Sequence, residues 1–264
     1  MKDRPVVLKL GGSVITEKDR PLTPNLQAIG RLAEEIARAK VSPIVIVHGG
    51  GSYGHPIAKT YGIARGFKDQ AQLVGFSKTH EAMVSLSRLV VENLLDRVLP
   101  AFGMAPSSFI LTSKGRIQIF QGELLTRAIK TGLIPVLYGD AVLDTDQVFA
   151  ILSGDQIAAF LAVKLKAERL IMGVDVDGLY DSNPKTDSSA RLISRLTLEE
   201  VQELANKIGG AEVSDVTGGM LGKVSELMAP VARGIETVIV NALKPGYLYR
   251  ALKGEEVVGT RIEA

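Results

Sequence analysis

Five short, nearly continuous apolar runs recur along the chain with helical segments between them. That alternation constrains the fold more than any other feature. The runs are Pro5–Leu10, Pro43–His48, Ile134–Tyr138, Arg169–Val174 and Thr237–Asn241, and several of them end at glycine. An apolar run without polar alternation fits a strand buried on both faces. The segments Asn25–Lys40, Lys78–Val98, Asp155–Lys166, Leu198–Lys207 and Met220–Arg233 read as helices. Together they predict an α/β fold with a mostly parallel sheet covered on both faces. Two segments break the alternation. Ser108–Ile119, centred on Lys114-Gly115, and Ala141–Leu152, with Asp144-Thr145-Asp146, predict β-hairpins. A soft boundary between two lobes is expected near Gly154.

Composition narrows the function classes. A chain of 264 residues, 46% hydrophobic and 23% charged, is neither disordered nor collagenous nor a coiled coil. Thirty-one basic against 29 acidic residues leave a net charge of +2. That balance gives no support for nucleic acid as a partner. The absence of cysteine excludes a disulfide scaffold, a zinc-thiolate site, an iron–sulfur cluster and a cysteine nucleophile. The three histidines are His48, His55 and His80, and the closeness of the first two argues against a three-histidine metal site. No apolar run approaches the roughly 20 residues of a membrane span, and Met1–Leu10 lacks the features of a signal peptide. A cytoplasmic protein with no membrane partner is expected.

Chemistry concentrates in glycine loops at strand ends. Lys9-Leu10-Gly11-Gly12-Ser13 places a lysine inside an apolar strand, where lysine is rarely buried without a partner. The glycines after it allow backbone N–H groups to converge on an anion, although Gly11-Gly12 alone would equally suit a tight turn. Lys18 follows in the loop. After the second strand comes His48-Gly49-Gly50-Gly51-Ser52-Tyr53-Gly54-His55-Pro56. Three consecutive glycines are costly in conformational entropy, and close approach of a phosphate is the usual reason. Gly49, Gly51 and Gly54 match G-x-G-x-x-G, but Asp69, at about the right spacing, is not on a strand, which disfavours nicotinamide binding.

Three further segments complete the set. Ser153-Gly154-Asp155 opens a helix that Ser153 or Asp155 would cap. Val174–Pro184 has the Asp, Asn, Gly and Pro content of a loop. In Thr217-Gly218-Gly219-Met220-Leu221-Gly222-Lys223, Thr217 would cap a helix that turns its amides and Lys223 toward an anion. It is not a Walker A loop, because the spacing fails and Val224 replaces the Ser or Thr. Lysines, glycine amides and an aspartate at one sheet edge describe a polyphosphate site and phosphoryl transfer.

The set Lys9–Ser13, Gly49–Gly51, Ser153–Asp155, Val174–Pro184 and Thr217–Lys223 resembles the amino acid kinase superfamily nearly end to end. Gly49-Gly50-Gly51-Ser52-Tyr53-Gly54-His55-Pro56 is similar to the isopentenyl phosphate kinase family within it, which carries a histidine at the Gly-His-Pro position. The resemblance implies a single amino acid kinase-like domain, residues 1–264, folded as an open three-layer αβα sandwich. It implies an acceptor-binding N-lobe, 1–153, a nucleotide-binding C-lobe, 154–264, and a homodimer. It implies ATP as phosphoryl donor, magnesium carried with ATP, and isopentenyl phosphate as acceptor. By position, Lys9 and Lys223 would contact ATP phosphates, and Lys18 would stabilise the transferring group. Gly11, Gly12 and Gly51 would cradle phosphates. Gly50, Gly54, His55 and Gly139 would hold the acceptor phosphate. Asp155 would orient the lysines, and Asp175, Gly178 and Gly219 would belong to loops near the nucleotide. No residue is expected to ligate a metal.

The acceptor chemistry supports this independently. A phosphate monoester has its second pKa near 6, so at neutral pH it is already an anionic nucleophile and needs no general base. It needs neutralising and aiming, which suits His55, though a turn histidine could instead merely pack or meet solvent. His48, ending a buried strand, is expected to be structural, and His80 to sit at a helix start. A prenyl tail needs an apolar pocket. Helix Lys78–Val98 offers one stripe of Met83, Leu86, Val90 and Leu94 and a second of Val84, Val91, Leu95 and Val98. Core packing and a dimer interface are the expected roles of most of these residues; Met83 and Leu86, nearer the glycine loop, are the predicted pocket residues, with Ile151 and Phe76 beside them. The competing expectations are a fosfomycin-type kinase, a carboxylate-directed relative using Arg65, a nucleotide-binding regulatory protein and a nicotinamide dehydrogenase.

Overall fold

A computed structural model describes residues 4–182, 187, 189–209 and 215–263. The strands are β1 (Val6–Leu10), β2 (Ile44–His48), β3 (Ala101–Gly103), β4 (Ile110–Ser113), β5 (Arg116–Phe120), β6 (Ile134–Tyr138) and β7 (Asp140–Asp144). They continue with β8 (Val148–Leu152), β9 (Arg169–Val174), β10 (Leu179–Tyr180), β11 (Leu192–Ile193), β12 (Arg195–Thr197), β13 (Glu236–Asn241) and β14 (Gly259–Glu263). The helices are α1 (Gly12–Ile15), α2 (Leu26–Ala39), α3 (Gly51–Thr60), α4 (Ala71–Leu95) and α5 (Glu123–Lys130). Four more follow: α6 (Gly154–Lys164), α7 (Leu198–Gly209), α8 (Asp215–Val231) and α9 (Tyr247–Lys253).

The main sheet runs in the order β12-β14-β13-β9-β1-β2-β6-β3. All its neighbours are parallel except β13 and β14. β9 lies beside β1, so the sheet is continuous across the Gly154 region. Every residue of β1, β2 and β6 is buried, which is why these strands read as unbroken apolar runs. Two cores cover the two faces. Leu8, Ile46 and Val136 pack with Leu32 of α2, Leu86 of α4 and Leu248 of α9. Val7, Val45 and Leu137 pack with Ile157 of α6, Leu227 of α8 and Val201 of α7. The sheet and its two helical layers form the expected three-layer αβα sandwich. Side chains alternate along a strand, so Lys9 shares the face of Val7, which α6 covers.

Both predicted hairpins form. Lys114 and Gly115 turn at φ 51° and 74°, the mirror-image turn that matches strand twist. In the second hairpin the Asp144 carboxylate accepts from the N–H groups of Gly115, Asp146 and Gln147 and from the Thr112 hydroxyl.

Several expectations are corrected. Helix α4 spans Ala71–Leu95 rather than Lys78–Val98, so His80 lies well inside it and not at its start. Its first stripe, Met83, Leu86, Val90 and Leu94, is buried. Its second stripe is divided: Val84 and Val91 are half-buried against the same core, whereas Leu95 is half-exposed and Val98, past the helix end, is exposed at φ 58°. The run from Gly51 is helical, not loop, so His55 stands on helix α3. Helix α8 spans Asp215–Val231, which places Thr217 and Gly219 inside it rather than at a cap. Their side-chain surroundings lie outside the described residues.

Candidate active site

Parallel strands β1, β2, β6 and β9 end at Leu10, His48, Tyr138 and Val174, and the segments after them enclose one cavity of about 410 Å³. Lys9, Lys18, His55, Asp155 and Lys223 all line it. The carboxyl edge of a parallel sheet is where such sites form, because loops and helix N-termini converge there.

Asp155 organises the centre. It lies in the first turn of α6, whose start is fixed by Ser153 Oγ accepting from the Gln156 N–H at 3.1 Å. Its Oδ1 is 2.7 Å from Lys9 Nζ and its Oδ2 accepts from Lys223 Nζ at 2.6 Å. Burial alone would raise the Asp155 pKa, but the two ammonium groups overcome it and hold the carboxyl at about 2. Burial lowers the pKa of Lys9, and Asp155 opposes that shift. One carboxylate therefore keeps two cations side by side. Lys18 Nζ pairs with Asp175, which follows β9 and also lines the cavity. The Lys18 side chain is about half exposed.

The glycines serve backbone packing as well as access. A Cβ on Gly12 would stand 2.2 Å from the Gly51 nitrogen, and one on Gly49 would stand 2.7 Å from the Gly12 nitrogen. The two loops thus touch backbone to backbone. Gly51 takes φ 47°, and a Cβ there would meet Thr16 Oγ1 at 2.1 Å. Thr16 links the loops further, accepting from the Ser52 N–H at 3.0 Å and donating to the Gly12 carbonyl at 2.8 Å.

Pro56 sits inside α3 without breaking it. The carbonyl it leaves without a helical donor, that of Ser52, accepts from the Leu22 N–H at 3.0 Å. The loop bearing Lys18 is thereby fastened to the helix bearing His55. Burial, then Lys223 and Lys9, push the His55 pKa below its ordinary value, so the free site presents a neutral imidazole.

Gly11, Gly12, Gly50, Gly51, Gly54, Gly139, Met83 and Asp175 line the cavity with the lysines, and so does Ile151. Leu86 does not; it packs in the core between α4 and the sheet. Phe76 stacks instead near Phe149, with ring centroids 5.5 Å apart. Gly178 lies outside the cavity lining, where a Cβ would meet Thr260 Oγ1 at 2.5 Å. His48 is buried against Tyr138, ring centroids 5.5 Å apart, and burial lowers its pKa to about 4. Arg65 lines an adjoining chamber, not this cavity.

Ser13, quoted in the first glycine loop but given no role, lines the cavity, and sequence reasoning missed Thr16, Thr79 and Asp140, which also line it. Asp140 directly follows the Gly139 strand end, the one signal available for it. Its carboxylate is buried and holds His80 Nδ1 at 3.0 and 3.1 Å.

Residues 4–241 match the amino acid kinase family. The chain belongs to the amino acid kinase family. It is 41% identical to an isopentenyl phosphate kinase of Methanothermobacter thermautotrophicus over 97% of this chain and 98% of that one. It is 34% identical to the isopentenyl phosphate kinase of Methanocaldococcus jannaschii, again over 97% and 98%. Among solved structures, an isopentenyl phosphate kinase superposes with a TM-score of 0.86 at 39% identity, covering 98% of this chain and all of that one. Nicotinamide-dependent oxidoreduction is therefore set aside for this member of the amino acid kinase family. Among the described residues, no group of three or more acidic or histidine side chains is arranged to hold a metal, and no helix is long and apolar enough to cross a membrane.

Proposed function

We propose that the protein is an ATP-dependent kinase of isopentenyl phosphate, forming isopentenyl diphosphate and ADP. The observation that carries this reading is His55, set on α3 beside Gly50 and Gly54 and facing the same cavity as Lys9, Lys18 and Lys223. The similarity to isopentenyl phosphate kinases over nearly the whole chain supports it.

In the reaction, an anionic oxygen of the acceptor phosphate attacks the γ-phosphorus of ATP. The bond from that phosphorus to the β,γ-bridging oxygen breaks, and ADP leaves with the electron pair. No proton needs to be removed, because the nucleophile is a phosphate dianion. The residues therefore position and neutralise. The donor set fits a triphosphate: the Lys9 and Lys223 cations, held by Asp155, take up the nucleotide phosphates with the amides of Gly11, Gly12 and Gly51. Lys18 exchanges Asp175 for the transferring group, whose charge spreads over three oxygens in the transition state. His55 donates an N–H to the acceptor phosphate with the backbone of Gly50, Gly54 and Gly139. Met83 and Ile151 give the tail apolar contact.

A magnesium ion carried on the triphosphate supplies further charge neutralisation; Asp155 and Asp175 are already engaged with lysines. In this reading residues 1–153 hold the acceptor and 154–264 the nucleotide, and the protein is a cytoplasmic homodimer. Phosphorus NMR of a reaction with isopentenyl phosphate and magnesium-ATP tests the proposal. Two coupled diphosphate resonances of isopentenyl diphosphate are expected. A spectrum showing only starting monoester refutes it.

A further inference from the structure

A second chamber, about 680 Å³, adjoins the catalytic cavity. The two share three wall residues: His55, Ala58 and Ile151. The second chamber opens among Lys59, Arg65 and Lys68, with Asp69 as the acidic counterpart. All three cations are exposed, and none forms an ion pair with a described residue. Three cations against one carboxylate give this mouth a charge of +2, as large as the net charge of the whole chain. Lys18, Asp175 and Lys223, by contrast, line only the catalytic cavity. The catalytic site thus has a cationic approach on the His55 side, separate from the lysines that face the triphosphate.

We infer that Lys59, Arg65 and Lys68 form a steering vestibule through which the anionic acceptor reaches His55, while the nucleotide arrives from the Lys18–Lys223 side. The inference rests on the proposed phosphate-monoester acceptor. A dianion is drawn to a concave cationic mouth, whose low-dielectric walls concentrate the field. It meets His55 phosphate-first, and its apolar tail follows along Ala58 and Ile151. None of the three cations touches the reacting groups; they raise the rate of productive encounter and leave the chemical step alone. Two mouths also let either substrate bind in the presence of the other.

The test is the full-length Lys59→Glu/Arg65→Glu variant, checked for wild-type circular dichroism and melting. kcat/KM is measured for isopentenyl phosphate and for ATP, each with the other saturating, over a range of ionic strength. The vestibule predicts that acceptor kcat/KM falls about tenfold at low salt and that its salt dependence flattens. kcat and the kcat/KM for ATP stay within about twofold of wild type. Unchanged acceptor kcat/KM, or an equal fall for ATP, overturns the vestibule while leaving the kinase reading standing. Absence of turnover by the wild-type enzyme overturns both. If the double reversal fails to fold, Lys59→Gln/Lys68→Gln is measured in the same way, with a smaller fall, about threefold, expected in acceptor kcat/KM alone.

Discussion

Asp155 bridges Lys9 and Lys223, standing 2.7 Å from one ammonium and 2.6 Å from the other. Lys9 comes from β1 and Lys223 from α8, so this carboxylate joins distant parts of the chain at the sheet edge. Asp155→Asn leaves the buried Lys9 without its counter-charge. We predict a loss of about 3 kcal/mol in stability and a fall in kcat of at least about 100-fold. The wild-type Asp155 pKa of about 2 lies below its unfolded value. Its contribution is therefore present above about pH 4 and lost as pH falls toward 2. Acid unfolding followed by circular dichroism checks both statements; an Asp155→Asn protein with the same acid profile as wild type contradicts them.

Lys18 pairs with Asp175 and is half exposed. Lys18→Ala should leave binding of a non-hydrolysable ATP analogue within a few-fold of wild type. Turnover should drop by about 100- to 1,000-fold, the scale of losing one preorganised transition-state donor. Calorimetric titration and single-turnover kinetics separate the two. Equal losses in binding and turnover would mean that Lys18 serves ground-state binding instead. Normal turnover would support a regulatory, non-catalytic reading of the site.

His80 takes its raised pKa first from its hydrogen bond to Asp140, with burial working against it. The pair's contribution to stability is full below the ordinary histidine pKa of about 6.5 and is lost as pH rises through the raised value. NMR titration of the imidazole should report a pKa above 6.5 that drops in Asp140→Asn. No change on that substitution would show that the pair does not govern the titration.

Gly12→Ala and Gly54→Ala should behave differently. At Gly12 the new methyl meets Gly51 backbone at 2.2 Å, so the two phosphate-facing loops must separate. We expect a cost of about 2 kcal/mol and weakened binding of both substrates. At Gly54 the obstruction is Met83 Sδ at 2.8 Å, the end of a flexible side chain. That protein should fold normally and lose kcat/KM mainly for the acceptor. Melting curves and paired substrate kinetics distinguish the cases, and equal effects at the two positions would contradict the packing account.

The buried strands were legible because a strand covered on both faces carries no polar alternation to confuse the reading; β2 and β6 lie where their apolar runs lie. Lys9 stood out for the same reason, as a lysine inside such a run rather than at its end. Helix α3 was hidden. Its glycines and Pro56 read as loop, and the Leu22 N–H, from a distant loop, satisfies the Ser52 carbonyl that Pro56 leaves without a helical donor. Met83 and Leu86 are adjacent in pattern but not in role, since the helix turns Leu86 into the core while Met83 reaches the glycines. Beyond its place after Gly139, Asp140 was hard to read because the packing of α4 on β7 brings its partner, His80, to it.

The central claim, a kinase whose acceptor phosphate is held by His55, is tested most directly by ADP release with magnesium-ATP. The acceptor panel is isopentenyl phosphate, fosfomycin, acetylglutamate, glutamate and UMP at equal concentration, for wild type and His55→Ala. Turnover chiefly with isopentenyl phosphate, and its loss in His55→Ala, is the predicted result. Turnover chiefly with a carboxylate substrate, unaffected by removing His55, would contradict the account.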